Sequence, residues 1–174
     1  VSPVRTSTQC WCSSKACLED AHVRAVTERI SDITGIGEPN FEYAQVVRYE
    51  PGQFYKAHHD QNCATWTPQG ARLLTFFMYG NDVVAGGGTR FTDLDITMQP
   101  RMGSAILWPS VTDADLDVEE PDTHHEALPP EAGIKFGMNI WIHQYDYKTP
   151  SRKGCKWTTQ NTHGGQVLPR SMRK

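Results

Sequence analysis

The segment Lys135-Phe-Gly-Met-Asn-Ile-Trp-Ile-His143 alternates two kinds of side chain, and this alternation limits the possible folds more than any other feature of the chain. Successive residues of a strand point to opposite faces. One face here carries Phe136, Met138, Ile140 and Ile142, all apolar, and is expected to pack on a sheet or helix. The other carries Lys135, Gly137, Asn139, Trp141 and His143, a polar and aromatic set expected to line a cavity rather than meet water.

The same periodicity predicts strands near residues 44–50, 54–59, 72–80, 89–92, 96–98, 104–108 and 134–144, with a short strand at 4–9. Pro51-Gly52, Gly86-Gly87-Gly88, Pro100 and Pro109 punctuate them. Ahead of most of these strands, Asp20 is placed to cap a helix that stops at Gly35. In that helix Ala21, Ala25, Val26, Ile30 and Ile33 are expected to face inward, with Arg24, Glu28 and Arg29 outward. Two long loops remain, about 61–71 and 109–124, of the kind that in compact domains are functional or mobile. Short strands following one helix predict a jelly roll or barrel with helical packing on one side.

At 174 residues the chain is sized for one domain. Past Tyr145 its composition turns basic: Lys148, Arg152, Lys153, Lys156, Arg170, Arg173 and Lys174 face only Asp146. Residues 1–147 are therefore expected as the domain and 148–174 as a solvated basic tail. A net charge of -3 offers no general electrostatic basis for binding nucleic acid or an anionic membrane. There is no apolar run long enough to span a bilayer. No charged-then-apolar leader opens the sequence, and the Val1 start reads as that of a processed or excised piece. Of five cysteines, Cys10, Cys12 and Cys17 lie close together while Cys63 and Cys155 stand alone, which is compatible with a local bridge from Cys10 or Cys12 to Cys17 in an oxidising compartment and equally with free thiols.

The chemistry concentrates in two segments. His58 and Asp60 share one face of a strand, so they can grip one ion while His59 points away. The pair His124-His125 offers a second imidazole, and ten positions past His125 stands Lys135. Two imidazoles and a carboxylate on one side of a metal leave its other positions open, the facial arrangement of non-haem Fe(II) oxygenases. A nearby lysine would serve a dicarboxylate co-substrate. Taken alone, His-x-Asp is more often a hydrogen-bonded pair, and a lysine in an apolar strand often snorkels. Tyr79 reads as a core aromatic, and Arg72 is compatible with a surface charge at a strand start. The run Asp113-x-Asp115-x-Asp117 with Glu119, Glu120 and Asp122 has Val118 and His124 where a calcium-binding EF-hand needs glycine and glutamate. It is expected as a solvated loop.

Three blocks carry a family resemblance. They are Tyr49-x-x-Gly52-Gln53-x-Tyr55-x-x-His58-x-Asp60; Arg72-Leu-Leu-Thr-Phe-Phe-Met-Tyr-Gly-Asn-Asp-Val with Gly86-Gly87-Gly88-Thr89; and His125-x-x-x-Pro129-x-x-x-Gly133-x-Lys135 with Asn139-x-Trp141-Ile142-His143. In order and register they resemble the catalytic domain of prolyl 4-hydroxylases, within the 2-oxoglutarate- and Fe(II)-dependent dioxygenases. The resemblance runs from Val4 to His143 and leaves out the tail. It implies a mainly β fold with packed helices: a double-stranded β-helix, the cupin-like jelly roll, with an N-terminal helix on its outer sheet. It also implies His58, Asp60 and His125 as iron ligands, His125 being chosen over His124 by its spacing to Pro129 and Lys135. Lys135, Tyr49 and Thr89 would hold the far carboxylate of 2-oxoglutarate, and Tyr55, Arg72, Trp141 and His143 would lie near a peptide substrate.

The activity so implied is hydroxylation of peptidyl proline to 4-hydroxyproline, using Fe(II), 2-oxoglutarate, O2 and ascorbate and releasing succinate and CO2. The sequence itself does not give a compartment; the resemblance favours the endoplasmic reticulum lumen or secretory pathway, where many relatives act on proteins. The alternatives are the same chemistry on a free amino acid, lysyl residue or small molecule, and a non-catalytic proline-peptide-binding module. Nucleic acid is not an expected substrate, because that branch typically holds 2-oxoglutarate with arginine where Lys135 stands. Two departures stand out: Gly88 replaces the family's usual glutamate and is expected to loosen its hairpin, and Leu128-Pro129-Pro130 replaces Cys-Pro-Val.

Overall fold

A computed structural model describes residues 3–61 and 65–153. Its strands are β1 (Thr8–Trp11), β2 (Gln45–Tyr49), β3 (Tyr55–His58), β4 (Arg72–Tyr79), β5 (Ala85–Gly86), β6 (Thr89–Phe91), β7 (Ile96–Met98), β8 (Ala105–Pro109), β9 (His125–Ala127), β10 (Pro130–Ala132) and β11 (Lys135–His143). Its helices are α1 (Lys15–Glu19), α2 (Ala21–Thr34) and α3 (Lys148–Arg152). A five-stranded sheet has the order β1-β2-β11-β4-β8, and a four-stranded sheet the order β3-β9-β6-β7. All pairings are antiparallel, as are those of the small pair β5 and β10. Val47, Tyr49, Phe77, Tyr79 and Trp108 of the larger sheet form one core with Phe91 of the smaller, and Tyr55 and Ala127 pack against it. Two antiparallel sheets closed face to face on a shared core make the expected jelly roll.

The other face of the larger sheet carries the helical layer. Asp20 Oδ1 accepts from the backbone N–H groups of His22 and Val23, capping α2, and Gly35 ends it at a φ of 69°. The sheet-facing stripe is not the expected one. Val23, Val26 and Ile30 face the core, whereas Ala21, Ala25 and Ile33 are exposed. The stripe rotates because it includes Thr27, Ser31 and Thr34, whose hydroxyls bond back to the carbonyls of Val23, Thr27 and Ile30. With their polar groups satisfied inside the helix, these residues can share the half-buried side.

Strand β11 shows the expected alternation, with one limit. Ile140 and Ile142 join Ile30, Phe41 and Phe76 in the core beneath α2, and Met138 packs at its margin. Phe136 stays 41% exposed, because the helical layer covers only the later part of the strand. Its opposite face puts Lys135 and Gly137 fully inside, and Gly137 has no room for a Cβ, which would stand 2.4 Å from Phe77 Cζ.

Other differences are local. The first strand starts at Thr8 rather than at residue 4, since Thr6 instead exchanges hydrogen bonds with Phe54 and Arg5 makes only an isolated bridge to Tyr55. Strands β5, β9 and β10 have two or three residues each, too few to show a period. A disulfide joins Cys12 to Cys17, leaving Cys10 an exposed thiol, while Cys63 and Cys155 lie outside the described residues. Asp117 is buried rather than solvated: its Oδ1 accepts from both the amide and the hydroxyl of Thr65 at 2.8 Å, tying the two long loops together. Lys148, placed in the solvated tail by its sequence, is buried against Glu38 Oε1 at 2.5 Å; residues 154–174 lie outside the described part.

Two neighbours on the apolar side of β11 should respond differently to truncation. Ile142→Ala, in the fully buried layer, should lower the free energy of unfolding by about 2–5 kcal/mol. Phe136→Ala, at the uncovered end, should cost less than half as much. Urea denaturation of both variants measures the difference.

Candidate metal and co-substrate site

Strand β9 lies between β3 and β6 in the smaller sheet, and the register sets His58 directly opposite His125. Cross-strand partners are close neighbours on one face, and the two imidazole centroids are 4.3 Å apart. Asp60 follows two residues after His58. Its Oδ1 is 3.8 Å from His58 Nε2, and its Oδ2 is 3.7 Å from His125 Nε2. One ligand atom from each of the three lies within 4.8 Å of the others.

The tautomers follow from the hydrogen bonds. His58 Nδ1 is 2.8 Å from the Lys56 carbonyl, and His125 Nδ1 is 2.9 Å from the Thr123 carbonyl. A carbonyl only accepts, so each Nδ1 carries the proton and each Nε2 presents a lone pair toward Asp60. The Asp60 carboxylate accepts from Thr75 Oγ1 at 2.7 Å, and its backbone carbonyl accepts from an Arg72 Nη at 3.1 Å. All three candidate ligands are thus oriented by second partners, as metal ligands are.

Protonation matches. Burial, then the neighbouring His125, pushes the His58 imidazolium down to about 4, against the pull of Asp60. Burial alone would raise Asp60, but His125, His58, Arg72 and the Thr75 hydroxyl outweigh it and hold the carboxyl at about 2. At neutral pH this leaves an uncharged His58 imidazole beside an ionised carboxylate, the forms that ligate a cation. The neighbouring histidines also line the cavity but are not in the His-Asp-His group, and their ring nitrogens bond elsewhere. His59 donates from Nε2 to the Glu120 carbonyl and accepts at Nδ1 from the Gln61 amide, while His124 stands at the cavity mouth with Nδ1 on the Pro121 carbonyl.

Lys135 lies in the same cavity of about 660 Å³, paired in register with Tyr49. It is 0% exposed. Its Nζ sits 5.3 Å from the ring centre of Tyr49 and 5.4 Å from those of Phe77 and Tyr79, and its hydrogen bond goes to the Gly88 carbonyl at 3.5 Å. Among the described residues no carboxylate pairs with it. Burial accordingly pushes the ammonium down to about 7. The buried hydroxyl residues Tyr49 and Thr89 line the same cavity. Tyr79, read from sequence as a plain core aromatic, puts its hydroxyl 2.8 Å from Thr89 Oγ1. A His-Asp-His group and a buried cation short of an anion, lining one cavity, suit a metal ion together with a dicarboxylate.

The remaining expected site residues divide. Tyr55 stacks on His58 at 3.6 Å, under the Arg5 guanidinium. Arg72 is buried rather than on the surface, 4.2 Å above the Trp141 ring, with Nε donating to Glu42 Oε1 at 2.6 Å. The indole N–H groups of Trp108 and Trp141 are buried with no partner among the described residues, and both side chains line the cavity. His143 is set apart. It is fully buried with Nε2 2.7 Å from Glu42 Oε1 and is not among the residues lining the cavity.

Glu42 was not legible in the sequence, being a single carboxylate with no spacing signal. Burial would raise it, but Arg72 and His143 bring it down to about 2. The structure gives Gly88 a packing role. A Cβ there would stand 2.7 Å from Thr97 Cγ2, so the missing side chain lets β6 and β7 pack closely.

The sequence and fold resemble those of known proteins. Residues 44–143 match the 2OG-Fe(II) oxygenase superfamily. Prolyl 4-hydroxylase subunit alpha-2 of Gallus gallus is 33% identical over 150 residues, covering 83% of this chain; the chain spans 27% of that relative's length. The structure of a viral collagen prolyl hydroxylase from Paramecium Bursaria Chlorella virus-1, solved as a 2OG complex, superposes with a TM-score of 0.65 at 28% identity, covering 80% of each chain. A Pseudomonas putida prolyl-4-hydroxylase shares the fold, with a TM-score of 0.54 at 20% identity over 81% of this chain and 71% of its own. The chain therefore belongs to the 2OG-Fe(II) oxygenase superfamily, among relatives named as prolyl 4-hydroxylases.

Proposed function

We propose that this chain hydroxylates peptidyl proline at C4, with Fe(II) held by His58, Asp60 and His125 and 2-oxoglutarate held by Lys135. The observation that carries the reading is Lys135: a fully buried ammonium with no carboxylate partner among the described residues, in the cavity that also holds the His-Asp-His group. An uncompensated buried charge is costly, and a ligand carboxylate removes that cost. A hydrolytic metal centre would give Lys135, Tyr49 and Thr89 no common purpose.

When bound, the iron and 2-oxoglutarate supply the oxidising power that couples loss of CO2 and formation of succinate to hydroxylation of a C–H bond. The protein's part is placement. Lys135, with the hydroxyls of Thr89 and Tyr49, fixes the far carboxylate and so sets the register of the keto acid against the metal. The backbone carbonyls of Lys56 and Thr123 keep both imidazoles aimed at the ion. Tyr55, Trp141 and Arg72 line the cavity, and half-exposed Trp11, 5.9 Å from Trp141, extends that aromatic wall to the rim, where a pyrrolidine ring can rest. The peptide target itself is supported by the relatives' names and by this aromatic wall.

With Fe(II), 2-oxoglutarate, ascorbate and proline-rich peptides, mass spectrometry should detect the gain of one oxygen with stoichiometric succinate. His125→Ala should abolish both products and His124→Ala should retain them; the reverse would put the wrong histidine on the metal.

Lys135 gives a pH prediction. With a free-state value of about 7, it is mostly neutral near pH 8 and charged near pH 6, and a bound carboxylate keeps it charged at both. Binding of 2-oxoglutarate to the Mn(II)-loaded protein should therefore weaken as pH rises past about 7. It should take up close to one proton per ligand at the higher pH and close to none at the lower. Calorimetry in buffers of different ionisation enthalpy measures this, and Lys135→Met should lose the difference.

A further inference from the structure

We propose that Thr75, backed by Ser110, is a positioning residue that fixes the plane of the Asp60 carboxylate and through it the geometry in which the centre takes its ion. The inference rests on the metal reading given above.

Thr75 sits in the middle of β4, among Leu73, Leu74, Phe76 and Phe77, and is 0% exposed. Valine would fill the same volume there. A hydroxyl in such a place is destabilising unless its hydrogen bonds are made. The bonds present run in one direction. A carboxylate accepts only, so the single Thr75 proton goes to Asp60 Oδ2 at 2.7 Å. Ser110 Oγ, 3.3 Å from Thr75 Oγ1, must then donate to it. Ser110 is itself 0% exposed, and its backbone N–H is fixed on the Leu73 carbonyl at 2.8 Å. The donor chain Ser110 to Thr75 to Asp60 thus stands on β4 and the residue just past β8, the two strands being paired through Thr75 and Trp108. Asp60 lies just past β3 of the opposite sheet.

That crossing matters because the carboxylate torsion of an aspartate is broad and roughly two-fold. Nothing in the Asp60 backbone decides which way the plane turns. The Thr75 bond does: it holds Oδ2 on the His125 side and leaves Oδ1 on the His58 side. Without it the carboxylate can turn, so the ion loses a prearranged ligand. Outer hydrogen bonds of this kind typically change metal affinity by about 10- to 100-fold.

The test is anaerobic Co(II) titration of the metal-free protein, read by the visible d–d spectrum and by calorimetric Kd, with circular dichroism and thermal unfolding of each metal-free variant. Thr75→Val should bind Co(II) about 10- to 100-fold more weakly with an altered spectrum, while metal-free folding is kept. Thr75→Ser, which restores the hydroxyl, should recover both affinity and spectrum. Ser110→Ala, which keeps the Thr75 bond but removes its support, should weaken binding less; if Thr75→Val fails to fold, Ser110→Ala decides the matter by the same readouts. Wild-type affinity and spectrum in the decisive variant would overturn the proposal. If Co(II) binding is meanwhile lost in His125→Ala, the metal reading stands without it. A wild-type protein that takes up no Co(II) would bring down both.

Discussion

Desolvating an ammonium group is expensive, and Lys135 bears that expense with three aromatic rings and one distant carbonyl around it. A lysine in such a place loses its proton readily or meets an anion. Much of the site follows from this. Gly137, one pleat along β11, must lack a side chain so that the Phe77 ring can lie beside the cation. Tyr49 occupies the paired position on β2, and Tyr79 braces the Thr89 hydroxyl from β4. The cavity is completed from the smaller sheet, which contributes both imidazoles.

The two sheets divide the chemistry. The larger, stiffened by the helical layer behind it, carries Lys135, Arg72 and Trp141 on strands paired over many residues. The smaller holds His58 and His125 on strands of four and three residues, whose register alone would orient them weakly. The same local device compensates at both: each Nδ1 is held by the carbonyl two residues earlier. Asp60 has no such local tie and depends instead on groups of the larger sheet, Thr75 for its carboxylate and Arg72 for its backbone. The candidate metal centre is therefore assembled across the sheet interface and requires the closed roll.

The legible parts of this fold are those with a period or a fixed spacing. The alternation in 134–144 marked β11 and both its faces, and Asp20 with Gly35 marked α2, because caps act within a few residues. His58-x-Asp60 was legible because two residues along a strand restore the same face. Strand β9 was not, since three residues cannot display a period, and so His125 could be separated from His124 only by family spacing. The α2 stripe was misplaced because Thr and Ser count as polar in a hydropathy pattern, although their hydroxyls close onto the helix's own backbone. Glu42 and the buried state of Arg72 depend on a pairing across 30 positions, which leaves no local trace. His143, on the correct face of β11, points to Glu42 rather than to the cavity, because the strand carries a register irregularity at its end.

The proposed function requires a ferrous ion and a keto-diacid to share this cavity, bound at opposite ends by the His-Asp-His group and by Lys135. A crystal structure grown without oxygen, with Fe(II) and 2-oxoglutarate, tests it most directly. The expected result is one ion ligated by His58 Nε2, Asp60 and His125 Nε2, and a ligand carboxylate on Lys135 Nζ. An ion bound elsewhere, or a Lys135 that remains without an anion while 2-oxoglutarate occupies another place, would contradict it.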